Sequence, residues 1–509
     1  MSEHLSLFNG QTASRESLPQ LSFKRFREKI LEQYLSGSRL IALFGIPADE
    51  GNHSSTILLI AIITSSDSGK IDVFSTPVSD SYPAITADCP QAHWFEREIA
   101  EQWGIKPLGH PWLKPIRFHH SYRKELDAWD RSPDSEILPS VTDFYKIFGS
   151  NIHEVAVGPV HAGVIEPGHF RFQCSGEEVF HLEISLGFQH RGIERALIGG
   201  PNAKTTQFFQ TLAGDTTIGH STAYCELIEA LADCKVPARA QILRGIALEL
   251  ERLANHTGDS GALAGDVGFL PTASFCGRLR GDFLNLSALL CGSRFGRGMV
   301  RPGGVTFDAD SERITTLLKR LEPVAKDTEG AIKLMWESPS VMARFENTGV
   351  VSRKSAIDLG LTGVAARACG IESDTRYDFP SGVYRFFQTP ISTWNTGDVF
   401  ARAYVRWLEI KRSVQFISDL AKSLPQTSVM SECGTLSPNM FGVTMLEGWR
   451  GEICHIAFTD PNGKFSYYKV IDPSFHNWSG LALALRNQEI SDFPLCNKSF
   501  NLSYCGHDL

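Results

Sequence analysis

The sequence predicts an α+β protein: a small N-terminal α/β module followed by a larger, mainly helical domain with small β elements. Three observations carry that prediction. Apolar runs split by turn residues crowd residues 39–75, as neighbouring strands require. Beyond residue 149 apolar side chains recur at helical spacing through long windows. Hydrophobic residues make up 42% of the 509-residue chain and charged residues 21%, a balance that fills large cores and excludes a disordered polymer.

In chain order, Leu21 to Leu35 places Phe23, Phe26, Ile30, Leu31 and Tyr34 on one helical face, and Ser36-Gly37 ends it. Strands are predicted at 39–45, 55–64 and 70–75. His93 to Trp103 reads as a short helix closed by Gly104, running into a Pro/Gly-punctuated tail from Ile105 to Leu113. This module, residues 1–125, shows no nucleophile–base pattern and no metal-ligand spacing, so docking is its expected role. Residues 126–148 contain Ser132-Pro133-Asp134 and Leu138-Pro139-Ser140 and read as a linker to a second domain, 149–509.

That domain opens on a stretch from Gly158 to Arg171 whose glycines and prolines force turns. The following run, Glu178 to Ser185, is a strand candidate. The rim so formed carries His161, Glu166, His169, His190 and Arg191, residue types suited to proton or electron chemistry; ordinary turn residues are the alternative. Helices are predicted at Thr222–Asp233 and Ala238–His256, where Ile242, Leu243, Ile246, Leu250 and Leu253 line one face and Pro237 stands at the start. Others are predicted at 271–292, 311–337 and 398–424. Residues 447–476 return to β structure, with a hairpin from Ile453 to Ile471 turning at Asp460-Pro461-Asn462-Gly463.

Composition narrows the function classes. A net charge of −8 is mild for this size and does not recommend nucleic acid. The longest apolar run, Thr56 to Thr64, is too short to span a bilayer, and the polar first thirty residues hold no signal core. The 11 cysteines are scattered with no Cys-x-x-Cys, which suits reduced thiols in a cytoplasm-like compartment.

Several short motifs then fall in a fixed order. The module contributes Phe95-Glu96-Arg97-Glu98 and Gly104-Ile105-Lys106-Pro107-Leu108-Gly109-His110-Pro111. The second domain contributes Gly158-Pro159-Val160-His161, His190-Arg191-Gly192-x-Glu194, His220-Ser221-Thr222-Ala223-Tyr224, Val236-Pro237-Ala238-Arg239-Ala240 and Glu249-Leu250-Glu251-Arg252. Gly303-Gly304, Asp374-Thr375-Arg376, Glu447-Gly448-x-Arg450-Gly451-Glu452 and Pro473-Ser474-Phe475 complete the series. Together they resemble the large subunit of energy-converting, membrane-bound nickel–iron hydrogenases of the formate hydrogenlyase type. They equally resemble the 30-kDa and 49-kDa subunits of respiratory complex I, here fused.

The resemblance implies four thiolates for a nickel–iron centre, because soft sulfur ligands hold nickel and bridge it to iron. Counting back from His220 puts the first pair at Ala213 and Thr216; counting on from Ser499 puts the second at Ser503 and Gly506. All four ligands are missing, Cys505 lies one position away, and the extension removed in hydrogenase maturation is expected to be absent after Leu509. No nickel is therefore expected, and no cofactor of this chain's own. The quinone ligands of the complex I relative are a histidine, which falls on His161 or His169, and a tyrosine, whose position falls near Gly214. Quinone remains a candidate.

The resemblance also assigns roles. Glu166 is the proton-passing carboxylate, Arg376, with Asp374, the arginine overhanging the pocket, and His190 and Arg191 the pair beside a partner's iron–sulfur cluster. Asp215 is peculiar to this chain. Glu249, Glu251 and Arg252 read as a solvated or interhelical ion pair. The vacated pocket, lined by Asp215, Thr216, Thr217, Glu166 and Arg376, is expected to hold water, a proton relay or a small acceptor. The implied function is electron and proton coupling in a complex I-like oxidoreductase; a non-catalytic scaffold is the alternative. The implied partners are a small iron–sulfur subunit of the 20-kDa type and antiporter-like and anchor membrane subunits. The chain is expected to be cytoplasmic, peripheral on the inner face of the cell membrane.

Overall fold

A computed structural model describes residues 3–48, 56–65, 68–123, 126–161 and 165–509. Its N-terminal core is built on an antiparallel sheet in the order β1 (Leu5–Phe8), β5 (Lys70–Val78), β4 (Ile57–Ser65), β3 (Leu40–Pro47). Helix α1 (Phe23–Leu35) starts where the Ser22 hydroxyl accepts the Arg25 N–H, and it lays Phe26 edge-on against Phe74 at 5.3 Å. The short β2 (Thr12–Ser14) is not legible as a strand in sequence. Its pairing partner lies more than four hundred residues away in β13 (Met440–Glu447).

Helix α2 (His93–Trp103) joins the parallel pair β6 (Ser81–Pro83) and β7 (Lys106–Leu108) and ends as predicted at Gly104, whose φ of +64° is left-handed. A Cβ there would fall 2.6 Å from the Leu126 carbonyl oxygen, so only glycine lets the chain pass. Acidic side chains of α2 are buried and each is paired: Glu96 accepts the Ile85 and Thr86 N–H groups, and Glu98 pairs with Arg117. Lys469 lies 2.6 Å from Glu98 and 2.9 Å from Glu194, so a buried ammonium fastens the module to the rest of the protein. The apolar core is continuous across this seam, from Leu7 to Ile116 and on to Phe441–Phe475.

A second sheet has the order β16 (Gln488–Glu489), β10 (Glu178–Ser185), β9 (His169–Ser175), β8 (Ile152–Val157). After the short α3 (Ile193–Ala196) and α4 (Thr205–Thr211) comes the helical body: α5 (Thr217–Leu231), α6 (Ala238–Asp266) and α7 (Leu270–Cys291). Helix α6 is 29 residues long and passes well beyond His256, where its polar sequence suggests a stop. The polar run is satisfied between helices. A Cβ on Gly258 would meet Arg280 Cδ at 2.7 Å and one on Gly261 would meet Cys276 Cβ at 2.8 Å, so glycine permits the close α6–α7 crossing.

The pair β11 (Val300–Arg301) and β12 (Gly304–Val305) precedes α8 (Ser311–Trp336), then the short α9 (Pro339–Phe345), α10 (Arg353–Asp358), α11 (Gly363–Arg367) and α12 (Thr375–Asp378). Helix α13 (Val399–Lys422), capped by Asp398, packs along α6. A third sheet, β15 (Phe465–Ile471), β14 (Glu452–Thr459), β13, β2, contains the predicted hairpin, but β structure starts earlier, at Met440, and ends at Ile471. Asp472 caps α14 (Pro473–Ala484); α15 (Phe493–Phe500) and α16 (Tyr504–Asp508) follow. The fold is α+β. No helix among the described residues is long and apolar enough to cross a membrane.

Candidate functional site

The four positions singled out by counting lie in two segments that Arg191 and Arg450 tie together. Ala213 and Thr216 lead into α5, Ser503 and Gly506 begin α16, and all four are buried. Between them the expected cavity is closed by protein. Arg450, from the turn joining β13 to β14, grips Asp215 with two hydrogen bonds of 2.6 and 2.8 Å. The same guanidinium reaches the Thr216 hydroxyl at 3.2 Å and donates to the Asn501 carbonyl at 2.6 Å, while Trp449 lies flat against it, 3.9 Å from ring centre. Burial works to raise the Asp215 carboxyl, and the Arg450 charge outweighs it, holding Asp215 below its ordinary value.

Asp472 stands against the other side. A Cβ on Gly506 would fall 2.7 Å from its carboxyl carbon. From Asp472 a line of buried hydrogen bonds leads away: to His220 Nε2 at 3.0 Å, from His220 Nδ1 to His455 Nε2 at 3.1 Å, and from His455 Nδ1 to the Tyr468 hydroxyl at 2.8 Å. Tyr468 borders a cavity of about 320 Å³ at the module seam, lined also by Trp103, Tyr122, Arg195 and the half-exposed Ile198. Burial opposes any charge on His455 and drives it well below the ordinary imidazole value. Burial also works to raise Asp472, but the hydrogen bond and charge of His220, with Arg450, hold it below the carboxylate norm. With Asp472 ionised, one tautomer set gives every hydrogen a partner: Tyr468 donates to His455, His455 to His220, His220 to Asp472.

The start of α5 is five residues earlier than its sequence pattern suggests because a distant side chain caps it. Glu251 of α6 accepts the Ile218 and Gly219 N–H groups at 2.7 and 3.1 Å. Burial pushes this carboxyl up to about 8, and the Asp215 charge adds to the shift. A carboxyl raised on folding contributes stability below its unfolded value that is lost as pH rises through the folded one. Thermal unfolding from pH 5 to 8 is therefore expected to show stability falling in the native protein, with a flatter profile in Glu251→Gln.

The other predicted residues divide between two places. Glu166 sits at the closed pocket, its carboxylate accepting the Tyr504 N–H at 3.2 Å and lying beside the Cys505 thiol. His161 and His169 face each other across the mouth of the β8–β9 hairpin, bonded to the Gly168 and Gly158 carbonyls at 3.0 and 3.2 Å; residues 162–164 between them lie outside the described set. His190 bonds the Asp508 carbonyl at 2.7 Å and stacks on His119 at 4.9 Å; burial lowers it to about 4. Arg191 caps the end of α4 through the Thr211 and Leu212 carbonyls and stays exposed.

Arg376 is a correction. It lies not over the pocket but within a separate ionic cluster, 2.6 Å from Asp374, 3.2 Å from Glu249 and 3.5 Å from Glu409. Arg252, Arg367, Glu447 and His256 complete that cluster between α6 and α13, so the pair read as solvated or interhelical is deeply buried. Sequence reading gave no site role to Arg450, which lies inside a matched motif, to Asp472, which flanks one, or to His455.

The sequence is similar to those of known proteins. Residues 266–440 match the family described as respiratory-chain NADH dehydrogenase, 49 Kd subunit, and residues 29–146 the 30 Kd subunit. The carbon monoxide-induced hydrogenase of Rhodospirillum rubrum is 30% identical over 354 residues, 69% of this chain and 97% of the relative. The chain belongs to this complex I and hydrogenase subunit family. Hydrogenase-4 component G of Escherichia coli K12 is 28% identical over 441 residues, covering 84% of this chain and 75% of the relative. Formate hydrogenlyase subunit 5 of the same organism is 27% identical over 432 residues, covering 83% and 76%. The chain thus carries the 30-kDa and 49-kDa domains of complex I in one polypeptide.

Within this family frame the donor set does not fit a nickel–iron centre. Ala213 and Gly506 offer no donor atom. The Thr216 hydroxyl is taken by Arg450, and the Ser503 hydroxyl accepts the Gly506 N–H at 2.9 Å. Hydroxyl oxygens are hard ligands where nickel calls for thiolate. The Cys505 thiol, pushed up to about 12 by burial and by Glu166, is held in its neutral form.

Proposed function

We propose that this chain is the electron- and proton-coupling subunit of a complex I-like, hydrogenase-related oxidoreductase complex and that it works without a nickel–iron centre. The line Tyr468–His455–His220–Asp472 carries the reading, because it joins a surface-reaching cavity to the closed pocket through buried, directly bonded titratable groups. Electrons arrive from an iron–sulfur cluster on a small partner subunit near the exposed Arg191. A proton entering at Tyr468 reverses the first two bonds in turn: His455 takes it at Nδ1 and passes one from Nε2 to His220 Nδ1. His220, doubly protonated, is stabilised by the Asp472 carboxylate. The charge so delivered lies beside Gly506 and α16, whose turn is tied to His190 and Arg191. Quinone enters this reading only as one candidate class of acceptor; the relay does not depend on it. The other partners are membrane subunits, on which the chain sits peripherally.

The closed pocket favours a second reading, a scaffold joining an electron-transfer arm to membrane subunits with no turnover of its own. Asp472→Asn separates the two. It keeps the shape and the α14 cap but removes the charge that orients His220. In the assembled complex turnover is expected to fall at least about tenfold with normal assembly; unchanged turnover leaves the scaffold.

A further inference from the structure

Of the 11 cysteines, eight are buried and three, Cys234, Cys433 and Cys505, are half-buried. Cys505 is engaged by the Ser503 hydroxyl at 3.4 Å and by Glu166. The other two face each other, although nearly two hundred residues separate them in sequence. The turn after α5 and the loop before β13 run antiparallel: the Ser437 N–H donates to the Leu231 carbonyl at 2.8 Å, and the Ser431 hydroxyl to the Lys235 carbonyl at 2.8 Å. That alignment sets residue 234 opposite 433. The Cys234 thiol points along the same seam, 3.6 Å from the Glu432 carbonyl, and is near enough to the Cys433 thiol to help push it up. The two thiols thus stand on two loops that hydrogen bonds hold together on both sides of the pair.

We propose that Cys234 and Cys433 form a reversible dithiol–disulfide latch, oxidised by low-molecular-weight disulfides of the glutathione type. The exchange balances in two steps. One protein thiolate attacks the small disulfide, forms a mixed disulfide and releases one small thiol; the other protein thiolate displaces the second small thiol and closes the bridge. Two S–H bonds are lost and one S–S bond forms, with the two electrons taken by the small disulfide. Burial, with the adjacent Cys234, pushes Cys433 up to about 12, so closure accelerates as pH rises. The latch stands at the rim of a cavity of about 460 Å³ bordered by Asp233, Cys234, Lys235 and Glu226 and by Tyr384, which reaches Glu249 in the ionic cluster at 2.6 Å. Oxidation fixes that rim; reduction frees it. This role is independent of the proton relay.

The test uses the intact native chain equilibrated in glutathione buffers of graded oxidation, followed by alkylation, proteolysis and mass spectrometry. Two thiols per chain are expected to be lost together, in one linked peptide pair containing Cys234 and Cys433, and to return with dithiothreitol. Cys433→Ser is expected to trap glutathione on Cys234. Both thiols staying alkylatable in the most oxidising buffer overturns the proposal, as does a bridge from Cys433 to the neighbouring Cys225 instead. The mapping on native protein stands even if the variant fails to fold.

Discussion

Glu409→Ala is expected to lower the unfolding free energy by about 3–5 kcal/mol, the scale for removing one partner from a buried charge group. Glu409 sits on α13 and is 1% exposed. One of its oxygens lies 2.5 Å from Arg367 and 3.5 Å from Arg376, the other 2.7 Å from His256 and 3.3 Å from Arg252. Burial works to raise this carboxyl, and the charges of Arg367 and Arg252 overcome it, so Glu409 lies well below its ordinary value. Deleting it removes the carboxylate that Arg252, Arg367 and Arg376 share and leaves them only Glu249, Asp374 and Glu447. The sign with pH follows: a depressed carboxyl contributes stability above its unfolded value, and that contribution is lost as pH falls toward the folded one. Denaturant unfolding of native and variant protein near neutral pH and in acid checks both points. The difference between them is expected to shrink in acid, and a neutral-pH loss under about 1 kcal/mol contradicts the cluster's role.

His455→Phe is expected to reduce turnover of the assembled complex by about 10²-fold, the lower end of what a positioned proton-transfer group supplies. Phenylalanine fills the same place, since the His455 ring already packs 5.1 Å from Phe209. It cuts the relay between Tyr468 and His220 without adding or removing charge at neutral pH. The two orphaned polar atoms cost stability of about 1–3 kcal/mol, so assembly is checked separately. Proton uptake on reduction is expected to be lost along with turnover. Normal uptake in a well-assembled variant rules out this route.

The local elements were legible because their signals are local. The helix at 23–35 has a serine cap and an apolar face, Gly104 has the position a left-handed turn demands, and the hairpin at 453–471 announces itself through Asp460-Pro461-Asn462-Gly463. Elements held from afar were not. β2 is three residues long and exists because β13 offers it an edge, and α5 begins at Thr217 because Glu251 of another helix caps it. The site divides the same way. The four positions counted out along the chain fall in two segments tied together by Arg191 and Arg450, and Glu166 lies beside the second of them, at Tyr504. Arg376 was misplaced because its Asp374 neighbour, two residues away, says nothing about which cavity the pair faces. Arg450 fills the pocket through a turn between distant strands, and the histidine relay draws on α5, β14, β15 and the α14 cap, a juxtaposition that no spacing records.

Nickel content of the purified, intact complex, quantified per chain by elemental analysis, bears most directly on the central claim that Arg450 and Asp215 occupy the place of a bimetallic centre. A nickel level far below one atom per chain, in a preparation that still turns over, is the expected result. One nickel per chain contradicts it.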